Sequence, residues 1–415
     1  MPIASFLRAF HLREFNRNVR LFFAYGIAIN AGMALFTLLY NLYLLRLSYQ
    51  EDFIGQVAGM APLATGLFAL PIGMLSDRFG RRPFLMISSL LLAVSQVGMC
   101  LSSAALPLLV FSFLGGIATG CIWVNHVPFL SDNAHPTRRA EALALWSALQ
   151  VVVRMVWSLV GGFTPGAMGY LLDVSTDLPD PFRYALLLGA LCSLISALPL
   201  LRMPAQAGHQ QPDTAPSTDS ANGGPWHLFA IIAALSGTRG FALGLTYPFF
   251  NVFFEEELDV EAAAIGAIFF LSQLAGLPAT FSAPSLVRRF GPTLTILPAR
   301  TAGGIALAAM GSIVNLPVAV FSFLVSRAAE VVDNPADQHF STQVLARRYW
   351  ARIQGFRVCG FQLCNFVGSV LGGLLIIDYG YWAAFGLAGA ARMASGIIMA
   401  AYFGLHPTSR EGERA

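Results

Sequence analysis

Apolar residues come in blocks of about twenty along this chain, which is the length at which a helix crosses a bilayer. Twelve such blocks, separated by short polar stretches, centre near Ala31, Gly66, Val94, Ala118, Val153, Leu191, Gly240, Gln273, Ala306, Val325, Val367 and Arg392. Strand-like alternation is rare, and lipid admits only helices or closed barrels. The pattern therefore predicts an all-α membrane protein of twelve transmembrane helices. It stops once. From Pro204 to Pro225 the chain reads PAQAGHQQPDTAPSTDSANGGP, polar and without apolar periodicity. That composition predicts a disordered cytoplasmic linker. The chain so divides into residues 1–203, a linker over 204–225, and residues 226–415.

The two flanks of the linker repeat each other at an offset of about 210 residues. Asn41-Leu42-Tyr43 returns as Asn251-Val252-Phe253, and Ile54-Gly55 as Ile265-Gly266. Arg78-Phe79-Gly80 returns as Arg289-Phe290-Gly291, and Phe111 to Leu114 returns letter for letter at Phe321 to Leu324. Arg138-Arg139 returns as Arg347-Arg348, shifted by one. Matches in one order and near-constant spacing predict two pseudo-symmetric six-helix halves. A parallel repeat of two membrane halves is an architecture of secondary transporters, with the substrate held between the halves.

Charge sets the orientation. Residues are 56% hydrophobic and 11% charged, against about 25% charged in a soluble domain, and every basic side chain is Arg. Arg8, Arg13, Arg17 and Arg20 precede the first span; Arg78, Arg81 and Arg82 follow the second; Arg138 and Arg139 follow the fourth. Arg288, Arg289, Arg347, Arg348, Arg352, Arg410 and Arg414 fall on the same side if the spans alternate. The other side is acidic: Glu51-Asp52, Asp173 to Asp180, and Glu255 to Glu261. Positive residues stay inside, so both termini are predicted to be cytoplasmic, in an inner or plasma membrane. The net charge of +3 is then a matter of topology, and no nucleic-acid-binding motif accompanies it. No cleavable signal peptide is visible. The five cysteines lie inside spans without a CxxC pair and read as small buried hydrophobes.

Gly73-Met-Leu-Ser-Asp77-Arg78-Phe-Gly80-Arg81-Arg82 joins spans two and three. Gly73 would let another helix approach closely, and Gly80 permits a tight turn. Asp77 offers a carboxylate to a helix N-terminus or an Arg, and the Arg cluster suits anionic headgroups. This stretch resembles the GxxxDRxGRR signature of the major facilitator superfamily, and helix number, halves and linker extend the resemblance to the whole chain. The resemblance implies that Gly73, Asp77, Arg78, Gly80, Arg81 and Arg82 form a latch closing the cytoplasmic side. It also implies that spans one, four, seven and ten line the cavity, with five and eleven contributing. The second-half copy, Pro284 to Pro292, carries Arg288 where the acid belongs, so the latch is expected to be asymmetric. Span four has Gly115-Gly116-Ile-Ala-Thr119-Gly120 without the Arg of many proton-coupled members. Gly161 to Gly169 in span five is similar to the Gly-Pro-rich motif of exporters, in a different order.

Span ten holds the densest polar content. Arg327, Glu330, Asp333, Asn334 and Asp337 fall on one helical face. A charge at the bilayer centre costs about 2.5–3.5 kcal/mol, so leaving Arg327 and Glu330 unpaired would cost roughly 5–7 kcal/mol; they need partners or an aqueous cavity. Glu330 and Asp333 are the leading candidates for function, with pairing to Arg on neighbouring helices the competing reading. Asp337 lies nearer the cytoplasm, where a loop position is an equal reading. Span four offers Thr119, Trp123 and His126, and His can exchange a proton near neutral pH, although a lone His near a helix end is more often structural. Arg154 on span five, Arg239 and Tyr247 on span seven, and Asn30, Thr37 and Asn41 on span one complete the candidate pathway. Periodicity leaves the faces of Arg300, Arg357 and Arg392 open. Arg154, Arg239 and Arg327 suggest an anionic or zwitterionic substrate, and ion pairing accounts for them equally.

The reading is a secondary active transporter of a small organic solute, working as a monomer by alternating access, coupled to protons and directed to efflux. No cofactor or metal is expected. Uptake or facilitated passage by the same fold is the alternative. A membrane enzyme or non-transporting sensor is the rival class, but HExxH, GxSxG and phosphate loops are absent from the sequence.

Overall fold

The computed structural model describes residues 15–203, 226–343 and 350–404. The linker at 204–225 lies outside the described residues, as do Arg8, Arg13, Arg347, Arg348, Arg410 and Arg414. All regular elements among the described residues are helical. The first six are α1 (Arg17–Arg46), α2 (Glu51–Phe79), α3 (Arg81–Leu101), α4 (Ala105–Asn133), α5 (Arg139–Leu172) and α6 (Pro179–Ile195). α7 (Trp226–Thr246) continues through a 3-10 turn into the short helix Phe250–Glu256. The trace Ala262–Ser312 breaks at Gly291 into two spans, α8 (Ala262–Thr280) and α9 (Thr293–Ser312). α10 (Leu316–Gln343), α11 (Trp350–Tyr379) and α12 (Tyr381–Gly404) follow. Eleven of these helices have the length and apolarity to cross a membrane. α10 is the twelfth long helix; Arg327, Glu330, Asp333 and Asp337 keep it out of that set.

The repeat reappears in the backbone. Ser48 has φ 65° after α1 and Asp259 has φ 51° before α8, 211 positions apart. Gly80 (φ 89°, ψ 152°) caps α3, and Gly291 (φ 79°, ψ 164°) breaks the chain between α8 and α9, again 211 apart. These are left-handed conformations that glycine adopts without a Cβ penalty. The same reversals thus recur where the side chains have diverged, as between Ser48 and Asp259.

The described residues group into two compact units. Described residues up to 47 and from 67 to 203 form one; residues 48–66 join those from 226 onward in the other. The physical reason is a glycine strip. Gly55, Gly59 and Gly66 share one face of α2, and Cβ atoms there would meet Ser369, Phe366 and Gln362 of α11 at 2.3, 2.9 and 3.1 Å.

The first unit is centred on aromatic packing, with Phe22 of α1 stacked on Trp146 of α5 at 4.5 Å and tilted on Phe129 of α4 at 4.9 Å. In the second unit α7 and α11 approach with almost no side chain between them. A Cβ on Gly240 would lie 1.9 Å from the Phe361 carbonyl oxygen. Small residues permit such contacts, which drive helix association in lipid. Gly240→Ala is expected to destabilise the protein by about 1–3 kcal/mol, the usual cost of overpacking. Gly386→Ala, where nothing lies within 4 Å, should be neutral. Thermal unfolding of the two purified variants checks this; equal melting points would mean that α7 and α11 are not so close in solution.

Candidate functional site

α10 gathers the buried charge of the second unit. Asp333 and Asp337 lie one turn apart on it, 2% and 6% exposed. Arg300 on α9 is fully buried between them: Nε donates to Asp333 Oδ1 and Nη2 to Asp337 Oδ1, both at 2.9 Å. Its third arm, Nη1, donates to Ser395 Oγ of α12 at 2.7 Å. Arg239 on α7 approaches the same acids from the other side, with Nε 2.9 Å from Asp333 Oδ2 and Nη1 3.0 Å from Asp337 Oδ2. Its Nη2 donates to Asn334 Oδ1. Arg357 on α11 donates through Nη2 to Asp337 Oδ2 and through Nε to Ser236 Oγ of α7 at 3.2 Å. Two carboxylates thereby tie α7, α9 and α11 to α10, and Arg300 adds α12 through Ser395. Charge-assisted bonds of this kind are the strong ones.

A second pair sits above the first. Arg327 and Glu330, three residues apart on α10, hold each other through Nη1 and Oε2. The Arg327 guanidinium also lies 5.6 Å from the centroid of the Tyr247 ring, a cation–π distance. Arg392 of α12 donates Nη1 to Ser326 Oγ at 3.3 Å. Arg239, Thr246, Ser326, Glu330, Asp333 and Arg392 border a cavity of about 30 Å³, which has room for one water.

Asp337 is therefore a helical, buried hub and not a loop residue. Arg300 and Arg357, whose faces periodicity left open, converge on the α10 acids, and Arg392 reaches the Ser326 hydroxyl of the same helix. A signal for them existed in the sequence, since any ionisable residue at membrane depth marks a function or a partner.

The first unit carries less charge. Asn30 is buried and donates Nδ2 to its own helix at Gly26 O, 2.8 Å. Asn41 and Arg154 are half-buried, and Trp123 is exposed. His126 Nδ1 lies 3.1 Å from the Ile122 carbonyl oxygen, and its ring packs on Trp123 and Trp146. Among the described residues no group of three or more His, Cys, Asp or Glu could hold a metal ion.

At the α2–α3 turn Arg81 links two helix ends, with Nη2 3.0 Å from Asp77 Oδ1 and Nε 3.0 Å from Asp132 Oδ2 of α4. Arg82 donates to the carbonyl oxygens of Leu200 and Leu201 at 2.9 and 3.2 Å. Arg78 lies 5.4 Å from the Phe79 ring centroid. A Cβ on Gly73 would sit 3.7 Å from Val124 Cγ1, an ordinary distance, so the close helix approach expected there is not found.

Comparison with known proteins gives a consistent picture. A family profile described as Major Facilitator Superfamily matches residues 21–332. "Multidrug resistance protein MdtL" of Shewanella sp. (strain ANA-3) is 25% identical over 247 residues, 59% of this chain and 58% of that protein. The "Arabinose-proton symporter" of Bacillus subtilis (strain 168) is 26% identical over 189 residues, 43% of this chain and 40% of that one. The matches thus span less than two thirds of these relatives. Among solved structures, the nucleoside transporter NupG superposes with a TM-score of 0.75 at 15% identity, over 94% of this chain and 99% of that one. The D-xylose-proton symporter gives 0.70 at 15% identity, over 92% and 95%. At such identities the structural likeness speaks for the fold.

Proposed function

Because this chain belongs to the major facilitator superfamily, we propose that it is a proton-coupled exporter of a small organic solute, working as a monomer by alternating access. The reading rests on one observation: the α10 carboxylates are held by arginines from other helices and border a cavity large enough for water. Protonation of one of them would release a guanidinium, and changing water access would change its affinity for the proton. Export is supported by the multidrug resistance relatives. The match to a sugar–proton symporter supports a second reading, uptake by the same device. We place the protein in the inner membrane with both termini cytoplasmic, on the Arg distribution. Proteoliposomes loaded with candidate solutes and given an imposed pH gradient test this reading; solute movement that ignores the gradient would leave a facilitator.

The loop from Gly73 to Arg82 is assigned as the conformational latch. Asp77 is 62% exposed, and exposed ion pairs are worth about 0–1 kcal/mol, so Asp77→Asn should melt close to the wild type. Transport is expected to fall by roughly tenfold or more, about 1.4 kcal/mol of barrier, while solute binding survives. Parallel measurements of melting, binding and flux check this. Equal loss of binding and flux would reduce Asp77 to a folding residue.

A further inference from the structure

The α10 cluster is not electrically balanced. Five guanidinium groups, those of Arg239, Arg300, Arg327, Arg357 and Arg392, meet three carboxylates, Glu330, Asp333 and Asp337, among the described residues. Four of the arginines reach a carboxylate directly. Arg392 does not: its one hydrogen bond is to the neutral Ser326 hydroxyl, and no carboxylate among the described residues lies within ion-pairing distance. An uncompensated charge at this depth costs about 2.5–3.5 kcal/mol, so its retention asks for a reason.

The surroundings supply one. The guanidinium is pressed against the α9 backbone, where a Cβ on Gly303 would lie 2.9 Å from Nη2 and 3.0 Å from Cζ. It borders the cavity, whose lining also includes the apolar side chains of Leu243, Phe250, Leu307 and Phe361. A cationic fork and apolar side chains thus share the lining of one water-sized cavity. Guanidinium matches carboxylate in two parallel hydrogen bonds, and the apolar side chains suit a hydrocarbon or aromatic body once the cavity opens beyond its one-water volume.

We propose that Arg392 receives the carboxylate of an amphipathic organic acid, and that such acids are the class of solute this protein moves. This rests on the transporter reading and narrows it. Arg239, already committed to Asp333 and Asp337, supplies the second positive charge at the rim. Glu330 opposes the anion; its neutralisation by a proton strengthens anion binding, a linkage that moves proton and anion together and so favours the uptake reading over export.

The experiment uses purified full-length protein and matched probes: benzoate and hexanoate against benzamide and hexanamide, at constant ionic strength set by chloride. Both acids should raise the melting temperature and both amides should not. Arg392→Gln should weaken the acids by at least ~tenfold, since a charge-assisted bidentate pair is lost, and Arg392→Lys should lie between. Glu330→Gln should bind the acids more tightly than the wild type. Amides as effective as acids, no response to either acid, or an Arg392→Gln protein that binds like the wild type would each overturn the assignment. Should Arg392→Gln not fold, the acid–amide contrast and the Lys variant decide. Counterflow of labelled benzoate in proteoliposomes separates the two readings. Binding without counterflow sinks transport and keeps the anion site; counterflow of a neutral solute without acid binding does the reverse.

Discussion

Asp337→Ala is expected to leave little folded protein in the membrane. Asp337 accepts from three arginines on three helices, Arg239, Arg300 and Arg357, and is itself buried. Truncation removes the acceptor and leaves the guanidinium groups where water cannot replace it. Breaking one buried pair from one side costs about 3–5 kcal/mol, against a total stability of about 5–15 kcal/mol. Here three pairs break at once, although Asp333 still neutralises Arg239 and Arg300. Arg357 keeps its hydrogen bonds to Ser236 and Gln354. The loss should be partly recovered in Asp337→Ala/Arg357→Met, which removes one of the guanidinium groups that lost Asp337. Size-exclusion profiles and melting curves of the single and double variants measure this. A single variant that melts with the wild type would mean that water reaches the cluster freely.

Glu330→Gln should abolish accumulation against a gradient while exchange continues. Of the three acids on α10, Glu330 has one arginine in contact, its neighbour Arg327, and is 21% exposed at the cavity edge. Asp333 is held by two arginines and sealed. Glu330 is thus the acid that can meet water and release a proton with the least rearrangement. With one proton per solute, a gradient of one pH unit supplies about 1.4 kcal/mol, a tenfold accumulation ratio. In Glu330→Gln that ratio should fall to unity, with counterflow retained, because the amide still hydrogen-bonds Arg327. Flux in proteoliposomes with and without a pH gradient distinguishes the two. Accumulation with wild-type pH dependence would move coupling elsewhere, with His126 the next candidate.

The acids of this site were legible in the sequence, and most of their partners were not. Glu330, Asp333 and Asp337 announce themselves by shared helical spacing in an otherwise apolar segment. Arg300, Arg357 and Arg392 each stand alone in spans that are apolar on all sides, where no polar face tells which way a side chain points. Their contacts, with the acids for Arg300 and Arg357 and with Ser326 for Arg392, are a property of how α9, α11 and α12 pack on α10. Asp337 was ambiguous for a related reason, since distance from a span's end does not report what covers it. The helices themselves were legible because lipid permits one solution to the backbone hydrogen-bonding problem. The glycine strip on α2 was visible as letters, but its partner α11 lies some 300 positions away, and spacing alone carries no such pairing.

The charge on α10 also bears on how the protein is made. Four charged residues would cost this segment roughly 10–14 kcal/mol if it entered lipid as an isolated helix, more than its apolar residues can offset. Arg239 and Arg300 precede it in the chain and can already be in place when α10 emerges; Arg357 and Arg392 are still to be synthesised. α10 must therefore be held at the insertion machinery, or beside α7 and α9, until its acids are matched. Biogenesis of the second unit becomes an assembly in which a helix is admitted by its neighbours and not by its own hydropathy, and α10 is the step at which a faulty chain would be recognised.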